Sequence, residues 1–396
     1  METVFVVGVG MTPFRKPTTV LELDYPDMVQ EAGSAALGDA GITLDDVDVA
    51  YAAYVLGDSC SGHRAVYSLG TTGMPIYNVN SNCSSGSSAL SLAIQSIRAG
   101  AASTALCVGF EKMSGNVTFM DDRSYPCGPH IAAATKEHDL VPGVSWSPQV
   151  FANAGLEHNE RYGSTPQHFA MVAEKNRRHA RNNPYAQFHD DLTLDDVLAS
   201  PRIYKDLTRL ECSAPSTGAA AVVVMSGAEV ARRGLQDRAV EIVGQGVATD
   251  ANDSFDPPTA VMAVGFSMTK RAAEKALSQA GVRIEDVDVI ELHDCFSPNE
   301  VLTYEGLGLA PEGKGHLLLE QGATTYGGQV VVNPSGGLIG KGHPLGATGL
   351  AQCSELTWQL RGTAGDRQVP GAQLALQHNL GLGGTAVVTV YRAPQP

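Results

Sequence analysis

Two stretches of the chain carry the same order of hydrophobic and polar positions. Ala36-Leu37-Gly38-Asp39-Ala40-Gly41-Ile42-Thr43-Leu44-Asp45-Asp46-Val47-Asp48-Val49 returns 240 positions later as Ala276-Leu277-Ser278-Gln279-Ala280-Gly281-Val282-Arg283-Ile284-Glu285-Asp286-Val287-Asp288-Val289, with eight of fourteen pairs identical. In each copy a helical pattern stops at a glycine, an acidic turn follows, and a β-rich run begins. Val4-Phe5-Val6-Val7-Gly8-Val9-Gly10 likewise resembles Val240-Glu241-Ile242-Val243-Gly244-Gln245-Gly246, so both copies open on a buried strand and the second begins near residue 238.

Downstream, Cys83-Ser84-Ser85-Gly86-Ser87-Ser88-Ala89-Leu90 and Gly342-His343-Pro344-Leu345-Gly346-Ala347-Thr348-Gly349 each lead from a small-residue turn into an apolar helix. Each copy closes on two β-rich segments, at 104–109 and 219–224 in the first and at 374–377 and 386–391 in the second. A short glycine turn separates the second pair, whereas about a hundred residues separate the first. The pattern predicts an α/β protein of two duplicated βαβαββ-type halves, 1–237 and 238–396. The first contains an inserted lid or substrate-binding subdomain at 112–212, with helices around 157–162 and 167–182. Two such units packed through shared helices make a five-layered α/β/α/β/α body.

A length of 396 residues exceeds what one core normally supports, in keeping with two halves. The net charge of −15 leaves no basic excess to displace counterions, so nucleic acid is not an expected partner. The N-terminal apolar run is too short for a signal peptide or a membrane span. Seven cysteines without paired spacing imply free thiols in a reducing compartment. The tail carries no peroxisomal tripeptide and Arg outnumbers Lys 18 to 9, so a bacterial cytoplasm is the expected location.

Cys83 follows a predicted strand at 75–80 and starts a helix, where the macrodipole favours thiolate and free N–H groups can donate to an oxyanion. It reads equally as a small buried cysteine in a tight turn. His343 holds the equivalent position in the second half, and a pseudo-twofold axis would bring it toward Cys83 as a base or as a donor to an enolate oxygen. His293 and Cys295 follow an apolar strand, where sites of α/β sheets gather, and alternation puts them on one side with Asp294 on the other. That pair is also of zinc-ligand type, but no second pair at ligand spacing accompanies it, so no metal is expected. His378 enters a glycine-rich turn whose N–H groups suit an oxyanion; the donors singled out are the N–H groups of Cys83 and Leu380. Gly8-Val9-Gly10 is no dinucleotide fingerprint, because Pro13 stands where the third glycine belongs.

These features together resemble the thiolase superfamily over essentially the whole chain. Within it, His293-Asp294-Cys295-Phe296, in place of the usual Asn-Glu-Ala-Phe, and Gln377-His378-Asn379, in place of the late Cys-x-Gly, resemble the thiolase part of sterol carrier protein x. The resemblance implies Cys83 as acyl-accepting nucleophile, His343 as its base, Cys295 as the second, acid/base thiol, and His293 sharing the thioester oxygen with His343. His378 stands at or near the missing cysteine. It further implies thiolytic cleavage of 3-oxoacyl-CoA esters with coenzyme A as co-substrate, no permanently bound cofactor, and a homodimer or tetramer. Because the chain ends just after its last strand, no sterol carrier domain, and hence no lipid transfer, is expected of it. The competing expectations are a retro-aldolase on steroid side-chain CoA esters with a small accessory subunit, and a non-catalytic CoA-ester binder; retention of Cys83, Cys295 and His343 counts against both.

Overall fold

The computed structural model describes residues 2–113 and 127–394, so residues 114–126 of the predicted insertion and the last two of the tail lie outside the described residues. The chain begins β1 (Val4–Met11), α1 (Tyr25–Ala40), β2 (Val49–Ala53), α2 (Ser61–Tyr67), β3 (Ile76–Val79), α3 (Ser85–Arg98) and β4 (Thr104–Lys112). It then passes through α4 (Gly128–Ala134), α5 (Trp146–Tyr162), α6 (Pro166–Ala180), α7 (Leu194–Ala199) and the hairpin β5 (Arg202–Tyr204) and β6 (Leu207–Thr208). β7 (Thr217–Ser226) and α8 (Gly227–Arg233) close the first half. The second half runs β8 (Val240–Ala248), α9 (Ala260–Ala263), α10 (Phe266–Ala280), β9 (Val289–Glu291), α11 (Ser297–Leu307) and α12 (Gly315–Glu320). It ends with β10 (Val331–Val332), α13 (Gly337–Lys341), α14 (Thr348–Leu360), β11 (Leu374–Leu380) and β12 (Ala386–Arg392).

The strands line up as β10-β9-β11-β12-β8-β1-β7-β4-β2-β3, five from each half. That is one strand per half more than the simple βαβαββ count, because each half adds a short parallel strand at its edge, β3 or β10. The two expected sheets meet only through Phe5 opposite Glu241 and Val6 opposite Val240 in β1 and β8. Three cores define the layers. The inner faces of both halves share one core with α3 and α14, through Leu90, Ile94, Leu350 and Leu356. The outer face of the first half packs on α1, and that of the second on α10 and α11. The result is α/β/α/β/α, as expected. No helix among the described residues is long and apolar enough to cross a membrane.

The repeated sequence has a repeated structural cause. α1 and α10 both stop at a glycine in the left-handed region, Gly41 (φ 70°) and Gly281 (φ 65°). In the turn that follows, Asp48 accepts from the N–H groups of Ser103 and Thr104, pinning the start of β4. Asp288 does the same for Gln373 and Leu374 at the start of β11. Gly8 and Gly10 lie so close to α1 that a Cβ on either would stand 2.2 Å from Ala36 O or 2.4 Å from Ala32 O. Gly244 and Gly246 face α10 in the same way, at 2.2 Å from Ala276 O and 2.0 Å from Ala272 O. The Gly-x-Gly pairs therefore serve helix–sheet packing.

Candidate active site

The turn before α3 is closed by hydroxyls. Ser84 Oγ donates to Ser81 O (2.8 Å), Ser85 Oγ donates to Asn82 O (2.6 Å), and Asn82 takes a left-handed φ of 55°. Asn82 Nδ2 also donates to Leu382 O (2.9 Å), tying the turn to the β11–β12 loop of the other half. Small side chains thereby leave Cys83 half-buried at the entrance of α3.

His343 lies between α13 and α14. Its N–H donates to Ser216 Oγ (3.0 Å), and its Nδ1 is 2.7 Å from Thr348 Oγ1. The Thr348 hydroxyl donates to Pro344 O (2.9 Å), so it receives a proton from Nδ1–H, and the lone pair is left on Nε2. That Nε2 is buried and has no partner among the described residues. Burial, then the Lys341 charge, push His343 down to about 3, which keeps it a neutral base.

Cys83 Sγ and a ring nitrogen each of His293 and His343 lie within 4.8 Å of one another, the one grouping among the described residues able to share a metal ion. The two imidazoles meet edge-on at 5.1 Å between centroids. Cys295, also buried, faces the same cleft, which holds about 640 Å³ including its open mouth and has apolar walls of Trp146, Phe151, Phe296, Leu345 and Leu382. Asp294 points the other way, as strand alternation suggested. It accepts from Leu338 N (2.7 Å) and Ile339 N (3.2 Å) at the start of α13 and from Asn176 Nδ2 (2.8 Å) of α6, anchoring the loop that carries His293 and Cys295.

Burial overrules the helix N-terminus at Cys83. Desolvation first, then the nearby Glu111 and Cys127, push its thiol up to about 12, and its own N–H offsets this only partly. The pull toward thiolate expected of the helix N-terminus is therefore outweighed, and the neutral thiol needs a base. Cys295 is likewise pushed up, mainly by burial. His293 is pushed down by burial, His343 and His378.

His378 stands behind His293 and outside the cleft wall. Its Nδ1 accepts from His293 N (3.4 Å), leaving Nε2–H to donate to Thr269 Oγ1 (3.0 Å). Both nitrogens are engaged, so in this arrangement His378 supports the His293 backbone and does not face the cleft. Leu380 does line the cleft. It pairs with Ala386 next to the Gly381–Thr385 pair, in which each N–H meets the other's carbonyl; ladder alternation turns the Leu380 N–H away from β12, toward the side where β9 has ended.

Sequence reasoning gave no role to Glu111, Asp294 or Asn379, although it placed Asp294 away from His293 and Cys295. Glu111, the penultimate residue of β4, is fully buried and accepts from Val55 N (3.2 Å), Leu56 N (2.9 Å) and Gly346 N (3.0 Å), the last in the His343 loop. An acid closing an otherwise apolar strand was the available signal.

A duplicated five-layered α/β body whose halves jointly build a cleft of two thiols and two imidazoles defines the thiolase class of fold. The chain belongs to the thiolase family, matching the thiolase N-terminal domain over residues 4–228 and the thiolase C-terminal domain-like family over 258–392. It is 53% identical to human sterol carrier protein 2 over 399 residues, spanning 100% of this chain and 73% of that protein. Among solved structures, the Ltp2-ChsH2(DUF35) aldolase superposes with a TM-score of 0.83 at 23% identity, covering 100% of this chain and 98% of that one. Human mitochondrial 3-ketoacyl-CoA thiolase in complex with CoA gives 0.74 at 20% identity, with the same coverages. The chain is thus a thiolase-family acyltransferase.

Proposed function

We propose that the protein is a 3-oxoacyl-CoA thiolase of the sterol carrier protein x type, cleaving medium-chain, branched or sterol-derived substrates to acyl-CoA plus acetyl-CoA or propionyl-CoA. The observation that carries this reading is the unpartnered Nε2 lone pair of His343 beside Cys83, in a cleft shared with His293 and Cys295. The CoA bound in the human thiolase structure supports coenzyme A as co-substrate. Cys83 gives its proton to His343 Nε2, and its sulfur attacks the 3-oxo carbon. The resulting oxyanion faces the N–H groups of Cys83 and Leu380. Collapse breaks the C2–C3 bond, leaving acyl-Cys83 and an enolate whose oxygen lies between His293 and protonated His343. The Cys295 thiol then protonates C2. Free CoA gives its thiol proton to the Cys295 thiolate and attacks acyl-Cys83, whose departing thiolate takes its proton back from His343. The same groups run the reverse condensation.

The division into halves 1–237 and 238–396 belongs to this proposal, as does a homodimeric assembly. Retro-aldol cleavage with an accessory subunit, the activity in the name of the superposable aldolase, is the second reading; it has no need of an acyl-cysteine. Incubation with a panel of 3-oxoacyl-CoA esters should place an acyl mass on Cys83 that free CoA releases, and Cys83→Ala should abolish it. Cys295→Ala should still acylate from acyl-CoA yet fail in carbon–carbon cleavage. No adduct at any chain length, with turnover intact in Cys83→Ala, would sink the proposal.

A further inference from the structure

We infer that Asn379 is a positioning residue that selects the tautomer of His293, so that this ring presents an N–H to the thioester oxygen. The role of that oxygen rests on the proposed thiolase reading, whereas the tautomer itself follows from geometry.

The argument starts from a group whose hydrogen-bonding sense is fixed. A carbonyl only accepts, and Gly349 O lies 2.6 Å from Gln377 Nε2, which settles the orientation of that amide. The same Nε2 donates to Ser87 Oγ (2.9 Å), so the Ser87 hydroxyl keeps its own proton for Asn379 Oδ1 (2.9 Å). From the other end, Asn379 Nδ2 faces a second carbonyl, Cys83 O, at 3.3 Å. Both ends therefore give Asn379 the same orientation. Its Nδ2 also sits 3.1 Å from His293 Nδ1. An amide NH₂ only donates, so His293 Nδ1 accepts and the ring proton resides on Nε2. His343 is held in the complementary form, with its proton on Nδ1 and its lone pair on Nε2. One ring thus takes the Cys83 proton while the other donates to the developing oxygen, and the two cannot exchange duties. The relay draws on α14, β11, α3 and the loop after β9, that is, on both halves of the chain.

Asn379→Asp reverses the sense of the last bond. A carboxylate accepts from Nδ1–H, which turns the Nε2 lone pair toward the enolate oxygen or forces the buried ring to carry a charge. Asn379→Ala removes the bias without imposing the wrong form. Nitrogen NMR of ¹⁵N-histidine-labelled protein, with His293 assigned through a His293→Gln variant, should show an Nε2–H tautomer in the wild type and its loss in Asn379→Asp. Carbon–carbon cleavage should fall about 100-fold in Asn379→Asp, the cost of one missing oxyanion donor, and less in Asn379→Ala. Acyl exchange between acyl-CoA and free CoA, which forms no enolate, should survive in both. An Nδ1–H tautomer in the wild type overturns the inference, and so does an equal loss of exchange and cleavage in the variants, which would mark a merely structural prop for the Cys83 turn. A wild type without cleavage or exchange refutes the thiolase proposal alone, because the NMR measurement still decides the tautomer.

Discussion

Replacing Glu111 by Gln should change the pH dependence of stability by an amount that can be calculated. Burial outweighs the three N–H donors around this carboxyl and raises it from an ordinary 4.5 to about 7. A folded-state value above the unfolded one means that the group's stabilisation is full below about 4.5 and is lost as pH rises through about 7. At about 1.4 kcal/mol per pH unit, the wild type loses about 2–3 kcal/mol from this group between pH 5 and 8. Glutamine does not titrate, and the fixed cost of turning its NH₂ toward a backbone N–H cancels when the two pH values are compared. Urea unfolding of wild type and Glu111→Gln at pH 5 and 8 should therefore show the variant gaining about 2–3 kcal/mol relative to wild type at the higher pH. A constant difference, or one that moves the other way, would mean that Val55, Leu56 and Gly346 hold the carboxylate ionised and that the burial argument is wrong.

Asp294→Ala leaves the Leu338 and Ile339 N–H groups without this acceptor and Asn176 Nδ2 with only Glu300 Oε2. At about 1–3 kcal/mol for each buried donor, partly offset by relief from the neighbouring Glu300, a loss of about 3–5 kcal/mol in urea unfolding is expected, with Asp294→Asn recovering part of it. Gly246→Ala would place a methyl 2.0 Å from Ala272 O and should cost about 3 kcal/mol of stability, measured by urea unfolding. Gly38→Ala, on the open side of α1 with nothing within 4 Å, should instead be neutral or stabilising by up to about 1 kcal/mol.

The duplication was legible because its causes are local. A helix must stop, a turn must cap the next strand, and a strand under a helix must thin to glycine; each requirement leaves its mark within a few residues of Gly41, Asp48 or Gly8, and again of Gly281, Asp288 or Gly244. The cleft residues were legible for a related reason, since Cys83 and His343 occupy equivalent turns. Protonation was not legible. The charge state of Cys83 depends on burial by segments far away in the chain, and the engagement of both His378 nitrogens depends on Thr269 and on the His293 backbone. Glu111, Asp294 and Asn379 act across separations of up to 296 residues, between Asn379 and Cys83, which no periodicity records.

Pseudo-twofold symmetry would ordinarily furnish two equivalent reaction chambers. Counted from the paired clamps at Thr104 and Leu374, Glu111 occupies in the first half the strand-end position that Gly381 holds in the second. Its carboxyl occupies Val55 and Leu56, the repeat counterparts of Cys295 and Phe296, while Phe110 stacks on Tyr54 and Tyr25 alongside. Where one half is hollowed out around glycine, the other is plugged by an acid and three aromatic rings. The blank chamber is a keystone, and the same carboxyl that seals it reaches Gly346 to steady the loop of the working one.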